Sequence, residues 1–286
     1  MEVAHIEAVI DFIEDHLACK PDLGTVAAAV HYSKYHLHRM FSDTVGMTIR
    51  EYVGRRQLSE AAKLLVFSDK PIIDIALTCG YESQQAFTAA FKAMYKIPPA
   101  EYRERQVFYP LQLRFALHRR DAETDFGRDD IRLAALGDIP AWLALVRLVI
   151  DGYPFLDEAD YTQKLKTCID EKRALILAVG DLAVGVMAFS YDNGCIEFMG
   201  VHPQYRDCGI QKLFLDALTR DYLCGREISM TTFRAHDKAD TGQRRTLQQL
   251  GFAERELLVE FGYPTQRFVL PPETQEALSD AQDTTS

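Results

Sequence analysis

Nine residues at 33–41, SKYHLHRMF, have an echo fifty positions later at 83–91, SQQAFTAAF. In each copy a serine stands where a helix can begin, and its hydroxyl can accept a hydrogen bond from a free N–H of the first turn. Apolar residues then fall four apart, Leu37 with Phe41 and Phe87 with Phe91, which puts each pair on one helical face. The opposite face is polar: Lys34, Tyr35 and His38 in the first copy, Gln84, Gln85 and Thr88 in the second. The pattern predicts two similar helical units, each with one buried stripe and one exposed polar face.

The stretch between the copies reads as a single helix over residues 48–67. Its apolar positions are Ile49, Tyr52, Val53, Leu58, Ala61, Ala62, Leu64 and Leu65, with no internal proline. Such a helix is roughly 30 Å long at about 1.5 Å per residue. Two helices that enter successive turns of a DNA major groove must sit about 34 Å apart, and the polar side chains named above are of the types that reach base edges and phosphates. The arrangement predicts a two-headed monomeric reader of double-stranded DNA. The alternative is a small helical bundle with coincidental repetition.

Supporting elements flank each copy. Ile6, Val9, Ile10, Ile13 and Leu17 share one face of a first helix, and Pro21 ends it. LGTVAAAVH, at 23–31, predicts a short alanine-rich helix that lets its neighbour approach closely. Gly46 closes the first polar-faced helix or the turn after it. Pro71 opens a second supporting helix, IIDIALTCG, which Gly80 stops, and Ile97-Pro98-Pro99 ends the second copy before a last turn, AEYRERQ. The halves differ by one residue before the serine, so the repeat is one of function rather than of strict sequence.

The chain has 286 residues, 48% hydrophobic and 26% charged, enough for two domains. Its net charge of −10 excludes bulk attraction to nucleic acid as the driving force. Residues 1–106 hold 12 Lys+Arg against 14 Asp+Glu, and the rest hold 20 against 28, so any phosphate-binding face is local. Candidates are Lys34, Arg39, Arg50, Arg55, Arg56, Lys92 and Lys96, of which about half are expected to touch phosphate. Six cysteines without pair spacing suit a reducing cytoplasm. No metal site is predicted: His36 and His38, two apart on a helix, diverge. The amphipathic, acidic start does not read as a signal peptide, and no apolar run approaches membrane-spanning length, so a cytoplasmic location without a membrane partner is expected.

From about residue 6 to 105 the chain resembles the DNA-binding domain of the AraC/XylS family of bacterial transcription activators, and most the MarA/SoxS/Rob branch. The text that carries this is YSKYHLHRMF and KPIIDIALTCGYESQQAFTAAFKAMYKIPPAEYR. The resemblance implies base reading by Tyr35, His38 and Arg39 in the first helix and by Gln84, Gln85 and Thr88 in the second; the charge pattern adds Lys34 and Lys92 to the expected DNA-binding residues. It implies promoter or operator DNA and RNA polymerase as partners. Ala89 stands where that branch usually carries arginine, and Tyr35 where it carries tryptophan. Arg39 has an alternative role as a buried or phosphate-paired structural arginine.

Residues 107–129 change character. VFYPLQLRFAL predicts a short extended piece and HRRDAETDFGRDD a charged linker. The expected domains are thus 1–106, all-α with two helix-turn-helix units, and 130–271, α+β, with a disordered tail at 272–286. In the second domain IRLAAL predicts a strand, and Asp138 caps a helix, IPAWLALVRLVIDGY, followed by another at 159–172. ALILAVGD and LAVGVMAFSYDN predict buried strands joined by a Gly-Asp turn. CIEFMGVH is a further strand, KLFLDALTRDYL a helix, EISMTTF a strand, GQRRTLQQL a helix and LLVEFGY a final strand. The order predicts a central mixed sheet layered with helices.

The sharpest motif of this half is QYRDCGIQ between a strand and a helix. Such a loop leaves several N–H groups aimed outward with the helix dipole behind them, a nest for pyrophosphate. Gly209 permits close approach and Arg206 adds positive charge; the alternative is an ordinary strand-to-helix turn. Residues 131–262 resemble the GNAT acetyltransferase superfamily, through GVHPQYRDCGIQKLFLDAL and LQQLGF. The resemblance implies acetyl-CoA or another acyl-CoA as cofactor. Met199 and Val201 would offer backbone groups to the pantetheine arm, and Arg206, Asp207, Cys208, Gly209, Ile210 and Gln211 would cradle the pyrophosphate. The usual RxxGxG/A is here R-D-C-G-I-Q.

Acetyl transfer to an amine needs a base for the ammonium proton and an acid for the thiolate. Glu197 is the base candidate, or else a solvent-facing strand carboxylate. Leu247 occupies the position where many relatives carry a tyrosine acid, and Tyr205 and Tyr191 are the substitutes at hand. Asp237 and Asp240 would make an acidic acceptor pocket or serve their own loop. The function expected is a transcription regulator whose second domain binds acyl-CoA and acetylates a small amine or senses the ligand. The alternative is an N-acetyltransferase first, with the DNA-binding half for autoregulation or targeting.

Overall fold

Both serine caps form. In the computed structural model, which describes residues 2–117, 125–149, 158–260 and 263–272, Ser33 accepts from the His36 N–H and Ser83 from the Ala86 N–H, each at 3.2 Å. They open α3 (Lys34–Val45), which follows α1 (Glu2–Asp15) and α2 (Leu23–Ala29), and α6 (Gln84–Tyr95), which follows α4 (Ile49–Phe67) and α5 (Ile72–Thr78); α7 (Pro99–Arg105) is the last helix of the helical unit. Thr48 and Glu51 cap the start of α4 reciprocally. The turn before each recognition helix is the same: Tyr32 N–H donates to Ala27 O and Tyr81 N–H to Ala76 O, both at 3.0 Å. Each recognition helix ends in a left-handed residue, Gly46 at φ +76° and Lys96 at φ +64°. The second copy thus places a side chain where the first uses glycine.

Packing sets the two helices apart. Phe41 of α3 meets Tyr52, near the start of α4, ring to ring at 5.7 Å. Phe87, Phe91 and Tyr95 of α6 share a core with Leu58, Ala61, Ala62 and Leu65, in its second half. The recognition helices therefore attach toward opposite ends of a 19-residue helix, roughly 28 Å long.

Residues 107–117 are not a free linker. They lie on the helical unit without regular strand pairing and bury Tyr109, Leu111 and Phe115. Two phosphate candidates are corrected as well. Arg55 and Arg56 are buried, and Arg56 pairs with Glu14 at 2.7 Å and Glu60 at 3.0 Å. Of the rest of the expected linker, 125–129 are described, with Phe126 packed on the core of the second unit, while 118–124 and the expected disordered tail from 273 lie outside the described residues.

The second unit contains two antiparallel sheets. Strands β1 (Arg132–Leu133), β2 (Ala174–Val179), β3 (Leu182–Phe189) and β4 (Ile196–Val201) form one in that order. Strands β5 (Ile228–Phe233), β6 (Ala253–Glu260) and β7 (Tyr263–Leu270) form the other, with β7 central. The mixed character expected of the sheet reduces, among the described residues, to one isolated parallel bridge, Cys195 to Ser229. The expected final strand at 257–263 is two strands: β6 ends at Glu260 and β7 begins at Tyr263. Helices α8 (Ile139–Val149), α9 (Glu158–Asp170), α10 (Ile210–Ala217) and α11 (Gln243–Gln249) complete the unit. Asp138 does not cap α8 as expected. It grips Arg132 through both oxygens, at 2.6 and 2.7 Å, and takes the Ala135 N–H at 2.7 Å.

Gly185 on β3 decides how closely α10 can approach. A Cβ there would lie 2.5 Å from the Phe214 ring and 2.8 Å from Ile210. Gly185→Val is expected to destabilise the second unit by about 1–3 kcal/mol, since overpacking a tight contact forces a shift. Denaturant melts check this; an unchanged midpoint contradicts it.

Burial also leaves an alkaline signature in the helical unit. Desolvation pushes the Tyr81 and Tyr102 phenols up to about 12 and those of Tyr52, Tyr95 and Tyr109 well above their ordinary range. In the unfolded chain these phenols ionise near pH 10, as free tyrosine does. Their contribution is therefore intact below about pH 10 and is lost as pH rises towards 12. The urea midpoint of the helical unit should fall between pH 9 and 11, which melts at both values would show.

Candidate functional site

The polar faces of α3 and α6 point to solvent. Lys34, Tyr35, His38 and Arg39 are exposed, as are Gln84, Gln85 and Lys92, while Thr88 is half-buried. Tyr35 is 80% exposed, unusual for so large an aromatic side chain. Arg39 is not a core arginine, so of its two expected roles the buried one falls away. Lys34 lies over the supporting helix: a Cβ on Gly24 would come within 2.9 Å of its Nζ. There Asp22, its carboxyl held low first by the Thr25 N–H and hydroxyl and further by Lys34, caps α2. Lys96 donates to the Ala93 carbonyl at 2.8 Å, which places its ammonium on the end of α6. Arg50, at the first turn of α4, is exposed.

The second candidate site lies along β4. His202 N–H donates to Val184 O at 2.8 Å, which fixes the ladder: Gly200 with Val186 and Phe198 with Ala188 are the hydrogen-bonded pairs. The N–H and C=O groups of Met199 and Val201 are therefore turned to the other edge of β4, away from β3. Beyond the Cys195–Ser229 bridge, β4 has no strand partner on that edge among the described residues. The side chains of Met199 and Val201 are buried in the core, so only their main chain can serve a ligand.

After β4 the chain makes a tight helical turn, Pro203–Cys208, and reaches Gly209 at φ +68°. Nothing lies within 4 Å of a Cβ built there, so glycine answers to backbone conformation and the space in front is open. The first N–H groups of α10 have no acceptor within their own helix. Arg206 and Asp207 are exposed, Cys208 and Gln211 half-buried, and Ile210 buried against β3.

Glu197 sits at a β-bulge. The register passes from Ala188–Phe198 to Phe189–Ile196, leaving Glu197 as the extra residue. Its carboxylate pairs with Arg173 at 2.8 Å, and the Cys168 thiol lies 4.0 Å away. Both contacts fall on the same oxygen, Oε2. Leu247 is wholly buried. Tyr205 is buried between Phe126 and His202, and Tyr191 donates to the Lys172 carbonyl at 3.1 Å. Asp237 accepts from the Ala239 N–H and the Tyr263 hydroxyl, and Asp240 from the Gly242 N–H, so both brace the loop before α11. Sequence reasoning missed the bulge and Gly185. A lone glycine inside an apolar strand was the available signal for the latter.

Among the described residues no cluster of three or more His, Cys, Asp or Glu is placed to hold a metal, and no helix is long and apolar enough to cross a membrane.

Known proteins are similar to parts of the chain. A family profile described as "Helix-turn-helix domain" matches residues 26–105. The "Uncharacterized HTH-type transcriptional regulator YbfP" of Bacillus subtilis (strain 168) is 42% identical over 98 residues, 34% of this chain and 33% of that protein. The chain thus spans about a third of that relative's length. The multiple antibiotic resistance protein MarA of Salmonella typhimurium (strain LT2) is 39% identical over 98 residues, which cover 34% of this chain and 77% of MarA. Among solved structures, a putative acetyltransferase of the GNAT family from Desulfovibrio desulfuricans is similar to 50% of this chain over 96% of its own length, at 19% identity and a TM-score of 0.39. With most of MarA matched, the chain belongs, through its N-terminal third, to the AraC-type helix-turn-helix family.

Proposed function

We propose that the protein is a sequence-specific, DNA-binding transcription regulator whose second unit binds acetyl-CoA or another acyl-CoA. The observation that carries the first half is the pair of serine-capped helices with exposed polar faces, held toward opposite ends of α4. One chain then supplies both reading heads. Tyr35, His38 and Arg39 read one groove turn, Gln84, Gln85 and Thr88 the next, and Lys34 and Lys92 hold phosphates. The names of the matched relatives support a role at promoters, where RNA polymerase is the partner. Replacing Gln85 by Ala should weaken binding by about 1–3 kcal/mol, the size of a lost base contact. The probe is a duplex enriched by the wild-type chain from a randomised library. Unchanged affinity in a gel shift would remove Gln85 from the readers.

The acyl-CoA half rests on the outward main-chain groups of Met199 and Val201 beside the amides at the start of α10. In that reading the pantetheine arm pairs with the edge of β4. The pyrophosphate lies over Gly209, Ile210 and Gln211, with Arg206 as counter-charge. Calorimetry with acetyl-CoA should show binding that Gly209→Tyr abolishes, because a side chain at φ +68° strains the turn and fills the open space. No heat at millimolar ligand would falsify the cofactor assignment.

A buried Leu247 in place of an acid favours a ligand sensor over an efficient enzyme. Glu197, at the bulge on β4, favours the second reading, an N-acetyltransferase acting on a small amine. Thiol release with a panel of amines separates them: turnover that Glu197→Gln removes would establish the enzyme.

A further inference from the structure

We infer that residues 107–117 are a clamp that fixes the two recognition helices relative to one another. This rests on the DNA-reading function proposed above. Tyr52 and Tyr102 are equivalent positions of the repeat, fifty residues apart, and each gives its hydroxyl to this segment. The Tyr102 hydroxyl donates to Tyr109 O at 3.1 Å and accepts the Tyr109 N–H at 2.9 Å, and Tyr95 of α6 donates to the same carbonyl at 3.1 Å. The Tyr52 hydroxyl accepts the Phe115 N–H at 3.2 Å while donating to Glu14 at 2.8 Å.

Between these ends the segment is held by α4. Ser59 Oγ accepts the N–H groups of Leu111, at 2.9 Å, and Gln112, at 3.0 Å. Arg56 donates to the Gln112 carbonyl at 3.1 Å. Tyr52, Arg56 and Ser59 fall at i, i+4 and i+7, one stripe along the helix. Tyr109 and Leu111 join the core of the second half, and Arg114 reaches Asp11 on α1. The segment therefore runs from the second reading unit, along the strut, to the first.

A lone helix joining two heads leaves their relative rotation soft, because twist accumulates along it. A second tie that engages both heads and the strut removes that freedom. The consequence for reading is large: two linked contacts reinforce one another only when geometry lets both engage at once. Ser59, Gln112 and Phe115 are thus positioning residues, remote from the bases they help to align.

The test uses the full chain with two variants. Ser59→Ala removes the acceptor for two clamp amides, and Gln112→Pro removes a donor from the clamp while leaving every bundle side chain in place. Fast hydrogen exchange at Leu111 reports release of the clamp. Spin labels on non-native amino acids at Asp43 and Ala89, on α3 and α6, then give the distance distribution without DNA. The clamp predicts a broader distribution in either released variant; an unchanged width overturns it, whatever the loss of stability. On the enriched duplex, the wild-type advantage over a duplex with one half-site scrambled should drop at least about tenfold, part of the reinforcement that linkage provides. Affinity for the single half-site should hold. If the wild-type chain enriches no duplex, the DNA reading fails while the distance measurement still decides the clamp.

Discussion

The guanidinium of Arg56 is the constraint around which the helical unit is arranged. It is 8% exposed, and a buried charge must find partners from whatever packs around it. Glu14 from α1, Glu60 from the next turn of α4 and the Gln112 carbonyl from the clamp supply them. Two other stretches of chain, α1 and residues 107–117, are thus brought to one point on α4. Glu14 takes two of the guanidinium N–H groups, at 2.8 and 2.7 Å, and Glu60 is the more exposed carboxylate, so losing Glu14 breaks the buried pair, at a cost on the order of 3 kcal/mol. The surfaces that face solvent on α3 and α6 depend on that junction without touching it.

Local signals were the legible part of the fold. Ser33, Ser83, Gly46 and the four-residue spacing of Leu37–Phe41 and Phe87–Phe91 act within a turn or two, so sequence alone places them, and the exposed faces follow. Arg55 and Arg56 were misjudged because an arginine on a helix says nothing of what covers it. VFYPLQLRFAL was misjudged for a related reason. Its backbone is satisfied by hydroxyls of Tyr102, seven residues back, and of Tyr52 and Ser59, more than fifty residues back, and no pattern within the segment announces them.

The second unit shows the same division. The apolar runs of β2 and β3 and the turn at Gly180 were readable, as was the loop into α10. The bulge at Glu197 was not, because it is a property of the register between two strands. Gly185 carries a similar lesson: its role is visible only once α10 is seen pressed on β3, with Phe214 and Ile210 in the space a side chain would need. The candidate DNA-reading residues were thus more accessible to inspection than the candidate catalytic ones, which depend on strand pairing.

The separation of β4 from β5 has an evolutionary corollary. Among the described residues the two are joined by the bridge between Cys195, just before β4, and Ser229, and beyond it the outer edge of β4 is lined by peptide groups. Side chains there answer to the hydrophobic interior. Mutational drift along β4 can alter Met199 or Val201 to another apolar residue of similar volume and leave that edge unchanged. The edge is written in peptide groups, whose N–H every amino acid but proline provides.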